Sequence, residues 1–360
     1  MAGERSGDLH GGNLISALFQ KNPSIDLVGW GGDYMQSKGM HLLKHYREIA
    51  FMGFWEVAKN IFKIKAILNQ CKQDILAQNP AIVVLIDYGG FNMKIAEFCY
   101  ENKIEIHFYI SPKVWAWNIK RAIKIKKYVS KLYCILPFEP TFFKQFDLDT
   151  QYVGNPVVDA ITAFKQTQNL TMFSEKPLVA ILPGSRKQEV VKMLGLMLEV
   201  VPKFPNHKFV VTAVDNLPKT LYQSAKDLGV EVVYDQTYAL LNTAKAALVT
   251  SGTATLETAV FGVPQAVCYK TSSFNYRIAK SFIKVPYISL VNLIANKEVV
   301  QELIQSRFTS ISVAEELEKL LNNKEYISQI KEGYGNIIQT LGPKNASETV
   351  ADALLASLKK

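Results

Sequence analysis

The chain has 360 residues, 48% of them hydrophobic and 11% aromatic, with a mean hydropathy of +0.05, so it can bury a large core and is not a disordered chain. No apolar run reaches the roughly 18–20 residues of a membrane span, and no charged-then-apolar leader opens it, so neither an integral membrane protein nor an exported one is expected. The net charge of +9, from 41 basic and 32 acidic residues, favours anionic partners such as nucleic acid, anionic lipid or phosphorylated substrates.

The opening "MAGERSGDLHGG" reads as a loop of small residues, Gly3, Ser6, Gly7, Gly11 and Gly12, with Glu4, Asp8 and His10 between them. Such a loop normally leaves the end of a buried strand, yet only Met1 and Ala2 stand before it. Strands are predicted next over 26–30 (DLVGW), 82–87 (IVVLID), 104–111 (IEIHFYIS), 131–137 (KLYCILP) and 150–154 (TQYVG). A second set follows over 177–184 (PLVAILPG), 208–214 (KFVVTAV), 230–235 (VEVVYD), 246–252 (AALVTSG) and 264–270 (PQAVCYK). Helical patterns fill the spaces, among them 55–78, 92–101, 186–203, 253–261 and 312–322. Continuous apolar strands alternating with helices predict parallel sheets covered on both faces, here an α/β chain of two doubly wound domains. A polar stretch closed by Pro177 (163–177) reads as the linker, and a Gly-Pro break precedes a last helix with Ala346, Val350, Leu354 and Leu358 four apart. The expected division is 1–163, 164–343, and a terminal helix 344–360 returning to the first domain.

Cys71, Cys99, Cys134 and Cys268 are scattered and form no CxxC pair, so they read as reduced core thiols and not as zinc ligands or disulfides. Lys113, Lys120, Arg121, Lys124, Lys126, Lys127 and Lys131 crowd one segment; a solvated helix face is the plain alternative to an anion-binding one.

Open parallel sheets bind ligands beyond the carboxyl ends of their strands, so the residues that follow each strand matter most. "LPGSRKQE" puts Gly184 and Ser185 at a strand-to-helix turn with Arg186 beside them, a pattern suited to an anion, although an ordinary turn with a capping Ser would look similar. "TSGTATLE" repeats the device with Ser251, Gly252 and Thr253, and Glu257 falls in the first turns of the helix, where it could accept both hydroxyls of a ribose or merely complement the helix dipole. "IDYGGFN" ends a fully apolar strand in Asp87, followed by Asn92; the choice is between a general base and a turn residue. Rival motifs fail. "GERSG" has Ser6 one place late for a nucleophile elbow, and "GWGGDY" has Tyr34 where a third Gly belongs. Asp147-Leu148-Asp149 matches a metal-binding D-x-D, but about one such tripeptide arises by chance in a chain this long, and this one precedes a strand.

In order, "AGERSGDLHG", "VGWGGDYM", "FMGFWEV", "IDYGGFN", "YISPKVWAWN", "LPFE", "YVGNP", "LPGSRKQE", "SGTATLE" and "LVNLI" resemble the lipid-A-disaccharide synthases, over nearly the whole chain from Ala2 to the final helix. That resemblance implies a GT-B fold, two doubly wound domains facing a central cleft, and an inverting transfer of 2,3-diacylglucosamine from UDP to 2,3-diacylglucosamine 1-phosphate, giving a β(1→6) disaccharide and UDP. It implies donor contacts from Gly184, Ser185, Arg186, Ser251, Gly252, Thr253, Glu257 and Asn292, and Asp87 as the base that deprotonates the acceptor 6-hydroxyl. Glu4, Ser6, Asp8, His10 and Asn92 would line the acceptor side. No metal and no cofactor is implied. An anionic membrane surface is an implied partner, on the inner face of the inner membrane, with "FMGFWEVAKNIFKIKAIL" (51–68) as the apolar and basic surface or, alternatively, a core helix. A homodimer is a further candidate. Members of the family usually carry a short apolar strand before the opening loop; its absence here is read as a late start codon or a truncated chain, and predicts a poorly anchored loop. Asn155 stands where His is usual and Arg5 where a small residue is common. A UDP-sugar 2-epimerase is the alternative of the same fold, and a basic nucleic-acid-binding protein the non-enzymatic one, without any recognised module to support it.

Overall fold

Runs such as Ile82–Ile86 and Leu178–Leu182 have no polar alternation, and strands of that kind need cover on both faces. The computed structural model describes residues 1–49, 61–117, 120–166, 176–272 and 285–359. Residues 51–60 of the apolar and basic stretch, and 167–175 of the predicted linker, lie outside the described residues. The chain divides into Met1–Pro156 with Pro343–Lys360, and Val157–Gly342.

In the first unit β1 (Val28–Gly31) pairs in parallel with β2 (His41–His45), while β3 (Ile82–Ile86), β4 (Glu105–Tyr109), β5 (Lys131–Cys134) and β6 (Thr150–Tyr152) form a parallel sheet in that order. Met1 and Ala2 lie between the two sheets. Ala2 N–H donates to Trp30 O at 2.9 Å, and Ile86 N–H to Met1 O at 2.9 Å, in parallel register with β3. Beside Met1 a cavity of about 90 Å³ opens, lined by Val28, Trp30, Cys71, Ile75, Ile82 and Val84.

The two-residue period of the strands divides the core. Val83, Leu85, Ile106, Phe108, Leu132 and Cys134 pack with Ile67, Cys71, Ile95, Cys99 and Ile125 from the helices Ile61–Gln78, Gly89–Glu101 and Lys120–Tyr128. Ile86, Tyr109 and Tyr133 point the other way, onto Leu14, Ile15 and Leu18 of the helix Arg5–Lys21 and onto Val350 and Leu354 of the helix Ala346–Leu358. All four cysteines are free and buried.

The opening differs from its expected form. Residues from Arg5 onward are helix, not loop, and the segment is anchored. The Asp8 carboxylate accepts from the amides of Gly32 at 2.7 Å, Met35 at 3.0 Å and Tyr34 at 3.1 Å, and so caps the helix Asp33–Ser37.

The second unit holds one parallel sheet of β7 (Leu178–Leu182), β8 (Lys208–Ala213), β9 (Glu231–Tyr234), β10 (Ala246–Thr250), β11 (Gln265–Tyr269) and β12 (Glu302–Ile304), in the order β12-β11-β10-β7-β8-β9. Every residue of β7 and β10 is buried. These two central strands are neighbours in space but far apart in sequence, so the strand order reverses between them. That reversal is where an open α/β sheet forms its crevice.

Candidate active site

The turns after β7 and β10 stand at this reversal. After β7, Gly184 takes φ +110°, a left-handed conformation that brings the chain round into the helix Lys187–Leu198. The amides of Ser185 and Arg186 donate to Glu189 Oε2 at 3.1 and 3.2 Å, and the Arg186 guanidinium stands 3.7 Å from Oε1. Glu189 went unmarked in the sequence, although a glutamate on the third residue of a helix is a familiar N-terminal capping signal.

After β10, Ser251 N–H donates to Cys268 O at 3.2 Å, and its hydroxyl donates to Ile288 O at 2.8 Å, which ties this turn to the chain entering the helix Leu290–Ala295. Gly252 leads into the helix Thr253–Val260, which no side chain caps among the described residues, and Thr253 is exposed. Glu257, one turn further on, receives the Tyr238 hydroxyl at 3.4 Å. Burial pushes its carboxyl up to about 7, against the smaller opposing effect of that hydrogen bond. Tyr238, Phe164 and Phe261 form an aromatic cluster with centroids 5.5–6.0 Å apart. Tyr238 was not singled out from the sequence, where its helix Thr237–Thr243 lacks a clear signal.

Asn292 differs from expectation. It is 0% exposed. Its Oδ1 accepts from the amides of Val299 and Val300 at 2.8 and 3.0 Å, while Nδ2 donates to Val300 O at 2.9 Å and to Glu302 at 3.0 Å. Glu302 also accepts from Ser289 N–H and its hydroxyl and from Ile288 N–H. With its amide engaged on both sides, Asn292 braces the fold and has nothing left to offer a donor sugar.

In the first unit Asp87 follows β3, its N–H donating to Tyr109 O at 3.1 Å. Asp87 and Tyr88 take φ 47° and 49°, and Ile110, just past the adjacent β4, takes φ 65°. Left-handed side-chain-bearing residues are costly, a β-branched one most of all, and such strain concentrates at functional sites. Asn92 is wholly buried and donates through Nδ2 to Asp87 O at 2.8 Å and to Ile86 O at 3.3 Å, so it holds the Asp87 turn. Past β4, Ser111 Oγ and Trp115 Nε1 donate to Glu139 at 2.5 and 3.0 Å, and the amides of Ile135 and Leu136 donate to its other oxygen. The "SPKVWAW" and "LPFE" segments are thereby fastened together at the carboxyl edge of the sheet. Asn155 donates to Ile135 O at 2.9 Å in the same region.

Glu4 precedes the helix Arg5–Lys21 and is partly exposed, as is His10, while Ser6 is exposed. Burial of the His10 ring lowers its pKa to about 4, so it is neutral at pH 7. Asp8 is 5% exposed and fully engaged as a cap, which removes it from the acceptor surface. Among the described residues no group of three His, Cys, Asp or Glu side chains is arranged to hold a metal, and no helix is long and apolar enough to cross a membrane.

A family model described as lipid-A-disaccharide synthetase matches residues 1–354. The lipid-A-disaccharide synthase of Syntrophus aciditrophicus is 35% identical over 372 residues, covering 100% of this chain and 97% of its own. That of Coxiella burnetii (strain CbuG_Q212) is 31% identical, covering 98% and 96%. Among solved structures, the UDP-GlcNAc 2-epimerase of Neisseria meningitidis bound to UDP-GlcNAc superposes with a TM-score of 0.67 at 16% identity, covering 98% of each chain. The calicheamicin glycosyltransferase CalG4 gives 0.62 at 14% identity, covering 99% and 96%. At such identities the structural likeness speaks for the fold alone.

Proposed function

The chain belongs to the lipid-A-disaccharide synthase family, and from that footing we propose how its residues divide the work of joining UDP-2,3-diacylglucosamine to 2,3-diacylglucosamine 1-phosphate. The protein is a glycosyltransferase, and the 2-epimerases share its fold, not its reaction. The observation that carries the assignment is the placement of both turns at the reversal between β7 and β10.

There the helix Thr253–Val260, which has no side-chain cap among the described residues, presents its positive end to the diphosphate, with Gly252 and Thr253 nearest and Arg186 as the bidentate cation. Glu257 accepts the ribose hydroxyls, for which its carboxyl must be ionised. Gly184 and Ser185 shape the turn that carries Arg186, and Ser251 and Asn292 hold the neighbouring backbone. Asp87 accepts the proton of the acceptor 6-hydroxyl as that oxygen attacks the anomeric carbon; the bond to UDP breaks on the opposite face and the configuration inverts. Negative charge growing on the departing UDP is met by Arg186 and the helix end. Glu4, Ser6 and His10 stand toward the acceptor.

Membrane association belongs to this reading. The helix Lys120–Tyr128 exposes Lys120, Lys124, Lys126 and Lys127 with Ile123 62% exposed among them, a basic surface with an apolar centre suited to anionic lipid. In this reading the protein associates peripherally, on the inner face of the inner membrane.

Asp87→Asn tests the base. Asn tolerates the left-handed backbone at this position, so the fold and UDP affinity should persist while turnover falls by about 10²–10⁴. Arg186→Ala should act the other way, weakening UDP first. Calorimetric titration with UDP and mass-spectrometric assay of the disaccharide separate the two; a normal turnover in Asp87→Asn rejects the assignment.

A further inference from the structure

The amides of Ser185 and Arg186 and the Arg186 guanidinium already hold an anion, the carboxylate of Glu189. Carboxylate and phosphate oxygens are recognised by the same donors, namely helix N-terminal amides and a guanidinium fork. The turn is shaped to let this carboxylate in. A Cβ at Gly184 would fall 2.5 Å from Glu189 Oε2, so any other residue there would push it away. The Glu189 side chain is not sealed in: it is 25% exposed, and the guanidinium that faces it is 59% exposed. Glu189 and Arg186 follow the strand β7, and both charges act on Tyr269, which ends the strand β11, so the pair stands at the carboxyl edge of the sheet.

We propose that Glu189 is a built-in competitor of the donor diphosphate: its carboxylate occupies the donors of the β7 turn when the site is empty and swings aside when the diphosphate takes them. The inference rests on the diphosphate site assigned above to Arg186. UDP binds only the fraction of molecules in which Glu189 has turned away, and its apparent Kd is raised by the reciprocal of that fraction. After transfer, once UDP has left, the returning carboxylate hinders its rebinding. Glu189 is then a residue that sets donor affinity without touching the sugar.

The test uses the full chain, titrated calorimetrically with UDP and with uridine, which has no phosphate. Glu189→Gln retains an amide oxygen that still competes, weakly; Glu189→Ala retains none. UDP affinity should therefore rise in steps, several-fold in Glu189→Gln and about tenfold in Glu189→Ala if nine molecules in ten hold the carboxylate in, with uridine affinity unchanged in both. Thermal melts of each variant establish that it is folded, and Glu189→Gln keeps the test valid if the alanine variant is not. Equal gains in the two variants would show a distant charge effect and overturn the competition. Unchanged or weaker UDP binding in both, with Arg186→Ala still weakening UDP, would make Glu189 a plain helix cap. If Arg186→Ala leaves UDP binding untouched, the diphosphate lies elsewhere and the proposal falls together with the reading beneath it.

Discussion

Glu257 illustrates how one side chain can link binding to stability. Its folded pKa lies at about 7, raised from 4.5 by burial. A carboxyl raised in this way stabilises the folded chain in its protonated form: the benefit is complete below 4.5 and is lost as pH rises through 7. Glu257→Gln, permanently neutral, should therefore be more stable than the parent at pH 8 by roughly 1–3 kcal/mol, and about equal to it at pH 5. The ribose recognition proposed for Glu257 runs in the opposite direction, because it needs the carboxylate. Uridine affinity should rise between pH 6 and 8 in the parent and stay flat in Glu257→Gln, and a flat profile in both would remove Glu257 from the ribose. At this scale the sequence is only half transparent. Asp87, Arg186 and Glu257 follow strands at the edge where ligands bind, and strand-ending position alone points to them. Asp8, Asn92 and Asn292 look equally polar in the sequence, yet each lies buried and satisfies backbone groups of a neighbouring segment, a partner that no local pattern reveals.

Elements separate by their chemistry in the same manner. The ten strands with continuous apolar runs are legible, and their ends fall within a few residues of the expected ones. Strand β2, "HLLKH", is an edge strand with two histidines and a lysine, and β12, "ELI", is three residues long and begins with the buried Glu302; neither has enough periodic signal to register. The helix Arg5–Lys21 is hidden by its glycines, which read as loop but let the helix lie close against Tyr34 and Met35. Glu302 and Asn292 together fasten the segment from Ile288 to β12. Asn292→Ala would leave the amides of Val299 and Val300 without acceptors, at about 1–3 kcal/mol each. The expected outcome is a lower melting temperature and faster hydrogen exchange across 288–302, with UDP affinity affected no more than the melt explains. A loss of UDP binding without a loss of stability would instead return Asn292 to the donor site.

At the scale of the whole molecule, two sets of strands predict two sheet units, and the Gly-Pro break before the last helix marks where the chain is expected to return to the first. The chain leaves the first unit after Pro156 and re-enters it at Pro343, and the two passages touch, with Lys344 Nζ donating to Tyr152 O at 3.4 Å. A chain ending at Gly342 would lose Val350 and Leu354 from the core around Leu14 and Leu18, each large side chain worth roughly 1.5–3 kcal/mol. Hydrogen exchange on that shortened chain should show the first unit loosened and the sheet β7–β12 protected as before; uniform protection in both would contradict the packing described. The same return has a consequence for synthesis. Translation at about 5–20 residues per second takes roughly ten to forty seconds to pass from Val157 to Gly342, and the second unit can fold on the ribosome meanwhile. The helix Arg5–Lys21 waits for the helix Ala346–Leu358. Until the helix Ala346–Leu358 emerges, the face of Leu14, Ile15 and Leu18 stays open to water, and it is there that a chaperone would find the nascent chain.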